Sequence, residues 1–354
     1  MRVALVGPPQ SGKSTLFSAV TETAVDLYAA PTVRHAVVHV PEPRLEFLVK
    51  LDNPKKVTEA AIEFVDVPGC SLDDAKGREE WRHFLPEVRQ ADLLALVIRD
   101  FANEAVPAYR GRIDPQADLD VVWEEFLFAD LDTASTRIER LEKSLKKPTK
   151  THDAEKRELE LLTRCRAALE AEEPLSSVSM SDEQRRQLAS FAFLTQKPAV
   201  AIRNVSDDRA SSAEALMARH AVDSVVLSAS IEAEIAALPP VDRESFLQDF
   251  GLQGSTRGRL IRTCYRACGL ISFFTTGPDE VRAWTIPHGA TAQEAAGVIH
   301  TDFARGFIRA ETVGYDELVA CHDFRGAKAA GKVRKEGKGY VVQDGDVLHI
   351  LAST

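Results

Sequence analysis

The clearest chemistry lies near the start of the chain. Gly7-Pro8-Pro9-Gln10-Ser11-Gly12-Lys13-Ser14-Thr15 contains the pattern G-x-x-x-x-G-K-[ST]. An apolar run, Val3 to Val6, precedes it, and a helix-like segment, Thr15 to Val20, follows it. Strand, glycine-bounded loop and helix form the context in which backbone N–H groups converge on phosphate oxygens. Lys13 would add a mobile positive charge at the β- and γ-phosphates, and the Ser14 hydroxyl is of the right type to ligate Mg²⁺. Gly7 and Gly12 allow backbone turns that a side chain would block.

A second constellation follows another apolar strand, Ala61 to Val65. Asp66-Val67-Pro68-Gly69 is a D-x-x-G at the strand's C-terminal end, where a carboxylate can hold Mg²⁺ through water. Lys13, Asp66 and Gly69 are therefore the candidate catalytic residues. Ser14, Asp66 and Thr32, the nearby hydroxyl in the intervening loop, are the candidate metal ligands. Two later strand ends, Asn204-Val205-Ser206-Asp207 and Ser228-Ala229-Ser230, fall where P-loop NTPases of the GTPase type read the base. Asn204, Val205, Asp207, Ser228, Ala229 and Ser230 join Gly7 to Thr15 as candidate nucleotide contacts.

The elements that must position these residues are legible from periodicity. Ala36 to Val40, Leu93 to Ile98, Lys197 to Ile202 and Ser224 to Leu227 read as further strands. Arg44 to Leu51, and Glu79 to Gln90 despite Pro86, read as helices; Leu27 to Val33 reads as a loop. The order implies an α/β P-loop domain with a mostly parallel sheet. The pattern pauses at Asp118. Leu127, Leu131, Ala134, Ile138, Leu141 and Leu145, then Leu159, Leu162, Cys165 and Leu169, form two apolar seams around a turn at Lys146-Lys147-Pro148. This predicts an inserted antiparallel helical hairpin, whose charged face is either solvated or touches an acidic or RNA partner. From Ile271 onward, strand-like Val281 to Pro287, helix-like Thr291 to Ile299 and strand-like Gly345 to Ile350 predict a small α+β module. Residues 1–117 and 195–270 thus form the nucleotide domain, 118–194 the helical insertion and 271–354 the C-terminal domain. The last carries Arg325, Lys328, Lys332, Arg334, Lys335 and Lys338 near only Glu336: a solvated face or an RNA-contacting stripe.

Bulk properties narrow the classes. With 354 residues the chain has room for several cores, and 44% hydrophobic with 28% charged residues is ordinary for a globular protein. No apolar run approaches a membrane span, and the N-terminal strand argues against a signal peptide. The five cysteines form no C-x-x-C pair, so buried thiols in a reducing cytoplasm are expected. A formal charge of −10 argues against a surface that wraps nucleic acid throughout. A metabolic kinase is disfavoured, since nothing reads as an acceptor site or lid.

These segments together resemble the YchF/Obg-like ATPase family of Obg-related P-loop GTPases. The resemblance rests on Val40-Pro41-Glu42-Pro43-Arg44-Leu45, Glu63-Phe64-Val65-Asp66, Ala129-Asp130-Leu131-Asp132-Thr133, and the C-terminal stretches Glu280 to Pro287, Ile299 to Phe303, Gly306 to Glu311, Ala327 to Tyr340 and Asp344 to Val347. It spans nearly the whole chain. It implies a coiled-coil insertion, a C-terminal TGS (ubiquitin-like) domain, and a slow hydrolase that prefers ATP to GTP and regulates translation or stress responses on the ribosome. The expected ligands are ATP or GTP with Mg²⁺. The expected partner is the ribosome or its RNA, met through the TGS domain and hairpin. DNA and membrane are not expected partners, and the protein is expected to be monomeric. The sequence departs from the family at several points. The GTPase motif N-K-x-D reads Asn204-Val205-Ser206-Asp207, without the lysine but with the aspartate that the family usually replaces by glutamate. Cys70 stands where GTPases place glutamine and the family a hydrophobic residue. Asp73, Glu79 and Trp81 replace glycines, which should favour helix, and Ala108 replaces a histidine. A nucleotide-sensing binding protein with little or no turnover is the alternative these departures leave open.

Overall fold

The computed structural model describes residues 1–23, 31–146, 151–216, 223–250 and 256–353. The chain divides into two compact units, Met1–Val37 with Glu63–Cys264, and Val38–Ile62 with Tyr265–Thr354.

The first unit is built on a six-stranded sheet. Its strands are β1 (Arg2–Val6), β2 (Arg34–His39), β4 (Ala61–Asp66), β5 (Leu93–Asp100), β6 (Ala199–Val205) and β7 (Asp223–Leu227), in the order β2-β4-β1-β5-β6-β7. The neighbours from β4 through β7 pair in parallel. A parallel sheet is covered on both faces, which is why its inner strands lack polar alternation: all eight residues of β5 are buried. Helix α1 (Lys13–Thr21) follows the loop after β1, and α3 (Ala75–Gln90) runs through Pro86 without ending.

Helices α4 (Pro115–Ser144) and α5 (His152–Glu170) form the hairpin. Asp114 caps α4 by accepting from the Ala117 N–H at 3.1 Å, with Pro115 at the first turn. Ala134, Ile138 and Leu141 on α4 and Leu162, Cys165 and Leu169 on α5 are buried, as their spacing predicts. The Arg137 guanidinium spans the two helices, donating to both Glu158 oxygens at 2.7 and 2.9 Å. Residues 147–150, which include most of the expected turn, lie outside the described residues, as do residues 24–30, which include the first part of the expected loop at 27–33.

The hairpin shares its core with the sheet. One hydrophobic cluster runs from Ala4 and Leu96 through Trp81 and Phe126 to Ile138 and Leu162. At its root the buried Asp130 carboxylate accepts from the N–H groups of Leu194 and Thr195 at 3.0 and 2.8 Å, from the Thr195 hydroxyl at 2.9 Å and from Arg89 at 3.0 Å. Charge in a dry site is tolerable only with such full pairing.

The second unit corrects the expected boundary. Residues 38–62, read from sequence as nucleotide domain, belong with the C-terminal residues. The sheet here has the order β11-β10-β12-β8-β9-β3, comprising β3 (Lys56–Thr58), β8 (Leu270–Thr275), β9 (Glu280–Pro287), β10 (Phe307–Gly314), β11 (Arg334–Glu336) and β12 (Asp346–Ala352). Strand β3 adds to β9 in parallel, Val57 opposite Val281. Helix α2 (Arg44–Asp52) buries Leu45 and Leu48 in a cluster with Phe274, Val281, Val313 and Val347. The opposite face packs Phe273 and Ile286 with Ala292 and Ala295 of the helix Ala292–Ile299. Arg44 is the pin. It donates to Glu42 at 2.7 Å through both Nε and Nη2, donates to Asp344 at 2.8 Å, and lies 5.0 Å from the centre of the Phe274 ring. Hydrogen bonding to Glu42 raises its already high pKa further. Truncation as Arg44→Ala would leave the mostly buried Glu42 without its partner, at a cost of about 2 kcal/mol. Hydrogen exchange should register this as roughly thirtyfold faster exchange of the β3 and β9 amides, with β5 unaffected.

Candidate functional site

The phosphate-binding loop leaves β1 and enters α1. Gly7 lies so close to β5 that a Cβ would strike the Val97 carbonyl oxygen. Gly12 has a left-handed backbone (φ 90°), and a Cβ on it would meet the Asn204 amide. Both glycines are therefore required by close approach. Gln10 also adopts positive φ, at 59°, within the loop.

Lys13 is 5% exposed. Its ammonium donates to the carbonyls of Gly7 at 3.0 Å and Pro8 at 2.7 Å, and to the Ser11 hydroxyl at 3.4 Å. These bonds aim a buried cation across the loop. Burial pushes its pKa down to about 8, with Asp66 acting in the opposite direction.

The Ser14 hydroxyl donates to Asp66 Oδ2 at 2.8 Å, which brings the two expected metal ligands together. Arg34 on β2, which no sequence pattern singles out, donates to the same oxygen at 3.3 Å. Asp66 Oδ1 is buried and has no hydrogen-bond partner among the described residues. A buried, unpaired carboxylate oxygen beside a hydroxyl suits a divalent cation. No group of three His, Cys, Asp or Glu among the described residues could hold one alone, so a cation here needs phosphate oxygens and water as well. Thr32, the third expected ligand, is exposed and takes no part in the Ser14–Asp66 bond.

The residues expected at the base form two bonded groups. Asn204, at the end of β6, is 2% exposed. Its amide donates to the Ser11 carbonyl and accepts from the Ala229 N–H, both at 2.9 Å. It therefore fastens the phosphate loop to the start of the helix Ala229–Ala237. Asp207 Oδ1 accepts from the Ser228 hydroxyl at 2.5 Å and from the Ser230 hydroxyl at 2.6 Å. Val205 is buried at the end of β6.

Beyond Gly69, the side chains that turn into the core are apolar, while Asp73 and Asp74 are exposed. Cys70 packs into the core with Leu72 and Trp81, and burial pushes its thiol up to about 11. A neutral, enclosed thiol is a poor group to orient water. Glu79 and Trp81 lie within α3, as the loss of glycine predicts, and the Trp81 ring meets Phe126 at 6.0 Å between centroids. Ala108 offers no polar side chain. Next to it, however, Tyr109 and Arg110 reach the loop after Gly69, a connection that sequence reading misses because its partners are 37 residues apart.

Comparison with known proteins fixes the kinship. Residues 2–127 match the family described as 50S ribosome-binding GTPase. Residues 270–353 match the YchF-GTPase C-terminal family, described as a protein of unknown function (DUF933). The ribosome-binding ATPase YchF of Bacillus subtilis is 40% identical over 358 residues, covering 98% of this chain and 97% of that protein. The chain belongs to the YchF family. The Haemophilus ducreyi relative with the same name is also 40% identical, over 98% of this chain and 97% of its own. The solved Schizosaccharomyces pombe YchF GTPase is 28% identical, covers 99% of this chain and 97% of its own, and superimposes with a TM-score of 0.84. A P-loop α/β domain with helical insertion and TGS-like C-terminal domain is therefore this YchF-family chain's architecture. No helix among the described residues is long and apolar enough to cross a membrane.

The lowered Lys13 pKa makes phosphate binding pH-dependent. Phosphates bind the charged amine and raise its pKa, so the free protein must take up a proton to bind above pH 8. Affinity for a nucleoside triphosphate should be flat below about pH 8 and fall by up to about tenfold per unit above it. Calorimetric titration between pH 7 and 9.5 measures this.

Proposed function

We propose that this protein is a slow P-loop NTPase switch that prefers ATP to GTP and acts on the ribosome in the cytoplasm, as a monomer. The observation that carries the reading is the buried Lys13 ammonium, bonded to the Gly7 and Pro8 carbonyls of a G-x-x-x-x-G-K-[ST] loop, beside the Ser14–Asp66 pair. The names of the Bacillus subtilis and Haemophilus ducreyi relatives support the ATPase and ribosome parts. Residues Gly7 to Thr15 would hold the phosphates. Ser14 and Asp66 would hold Mg²⁺, which when bound supplies charge neutralisation at the β- and γ-oxygens. Gly69 would offer its backbone N–H beside them.

The base preference follows from hydrogen-bond capacity. Reading guanine requires a carboxylate that accepts through both oxygens, from the ring N–H and the exocyclic amino group. Asp207 Oδ1 is taken by two hydroxyl hydrogens, which leaves Oδ2 alone for a base, and Val205 replaces the lysine that would pack on it. A mismatch in one buried donor–acceptor set can discriminate by several kcal/mol. In nucleotide competition ATP should displace a labelled analogue better than GTP. Ser230→Ala, which releases one partner of Asp207, should narrow that gap. Better displacement by GTP from the unaltered protein would contradict the adenine preference.

Slow turnover follows from Cys70 and Ala108, neither of which can orient water. The same residues favour the second reading, a sensor that binds without hydrolysing. Single-turnover measurement with ATP and Mg²⁺ separates the two: a rate no greater than that of Lys13→Ala leaves only the sensor.

For the ribosome, charge pairing refines the basic stripe. Lys332 and Arg334 are partly neutralised by Glu317, and Arg334 also meets Glu336 and Asp346. Arg325, Lys328, Lys335 and Lys338 are better placed to meet phosphates. In sedimentation with ribosomes, Lys335→Glu and Lys338→Glu should each weaken association. The slope of log K against log salt should become shallower by roughly 0.7–0.9 for each phosphate that is no longer neutralised, while Lys332→Glu should have a smaller effect.

A further inference from the structure

The segment after Gly69 is fastened in a way that the nucleotide-binding groups do not explain. The Leu72 N–H donates to the Tyr109 hydroxyl at 3.2 Å, and the Leu72 carbonyl accepts from Arg78 at 2.9 Å. Arg110 pairs with the Asp73 carboxylate through Nε at 2.7 Å. Hydrogen bonding from Arg110 holds that carboxyl below the ordinary range, against opposing burial, with a smaller share from Tyr109. To make this contact Arg110 adopts a left-handed backbone, φ 56° and ψ 21°, with its guanidinium 5.2 Å from the centre of the Tyr109 ring. Strain of this kind persists only where neighbouring bonds hold it. The anchor is Arg99 on β5, 4% exposed, which donates to the carbonyls of Phe101, Val106 and Pro107 at 3.0, 2.9 and 3.2 Å. Tyr109 and Arg110 thus hang from a central strand and grip the loop that leaves β4.

The same loop begins at Gly69, which lies against the phosphate loop. A Cβ built on Gly69 would lie 2.7 Å from Lys13 Nζ and 2.8 Å from Pro9 N and Cα. The face of Gly69 toward the phosphate loop has no room even for a methyl group. A terminal phosphoryl group reaching Lys13 would need this face to withdraw. A diphosphate, cradled by the loop's own amides and α1, does not need that space.

We propose that Tyr109 and Arg110 form a latch on the loop after the D-x-x-G element, and that this latch sets how strongly the site favours a nucleoside diphosphate over a triphosphate. The latch rests on the nucleotide-switch reading and goes beyond it, by assigning discrimination of the terminal phosphate to residues outside the phosphate loop. It is built from weak parts. One hydrogen bond and one exposed ion pair can open at modest cost, and opening relieves the left-handed strain at Arg110. Closed, the latch presses Gly69 toward Lys13 and Pro9; open, it admits the terminal phosphate. Tyr109 and Arg110 are positioning residues, since they act through Leu72 and Asp73.

The test is equilibrium binding of fluorescent ADP and of a fluorescent non-hydrolysable ATP analogue, with Mg²⁺, to the full chain. In Tyr109→Phe/Asp73→Asn, affinity for the triphosphate analogue should rise about tenfold while affinity for ADP stays within twofold. Retained ADP binding also shows that the site has folded. Arg110→Ala removes the same ion pair from the other side and should shift the ratio in the same direction by a smaller factor. An unchanged ratio in both variants, or a fall in triphosphate affinity, overturns the latch while leaving nucleotide binding intact. Failure of the unaltered protein to bind either nucleotide would instead remove the switch reading, and the latch with it.

Discussion

Asn204 is the bond on which the site depends. One buried amide satisfies a carbonyl of the phosphate loop through its Nδ2 and a helix N-terminal N–H through its Oδ1. Both partners are out of water, so neither could be left unpaired cheaply. The amide fixes the distance between the phosphate loop and the start of the helix after β7. Gly12 must lack a side chain because Asn204 occupies that space. The glycine of the phosphate loop and the asparagine of the base region are thus two halves of one packing constraint, although they are far apart in sequence.

Around that bond the first unit fastens the Lys13–Ser14–Asp66 group and the segment after Gly69 by different means. Lys13, Ser14 and Asp66 are held by short hydrogen bonds. The segment after Gly69 is held by a longer hydrogen bond and an exposed ion pair, and its apolar side chains enter the core at Cys70, Leu72 and Trp81. The helix that follows carries Trp81 against Phe126 and Arg89 against Asp130, so it packs along the hairpin over much of its length. Because the hydrophobic core is continuous from sheet to hairpin, α3 has few ways to move without repacking both. A site of this construction suits a switch with a small number of discrete states more than one with rapid turnover.

The second unit shows how local sequence can mislead about domain membership. Residues 38–62 fall between two strands of the nucleotide sheet, and sequence order assigns them there. Their apolar residues Leu45 and Leu48 find their partners on the C-terminal sheet, and Arg44 fixes the register through Asp344. The run from Pro41 to Leu45 thereby serves packing and charge pairing. The basic stripe changes meaning in the same way. Lys332 and Arg334 read as free cations in sequence, but Glu317, which is distant along the chain, partly neutralises them.

The sequence by itself determined whatever rests on local pattern. The phosphate loop, the inner strands and the two hairpin seams are each set by residues within a few positions of one another, where steric and hydrophobic periodicity act directly. It also located the departures at Cys70, Ala108 and Asp207. Only the tertiary structure decided what those departures mean. Cys70 became a core residue, Asp207 acquired two serine partners, and Tyr109 and Arg110 beside Ala108 met a loop 37 residues away. Such contacts depend on which strands lie side by side and on the few ångströms between side chains they bring together. Hydrogen bonding and burial act through space, and one-dimensional spacing does not encode them.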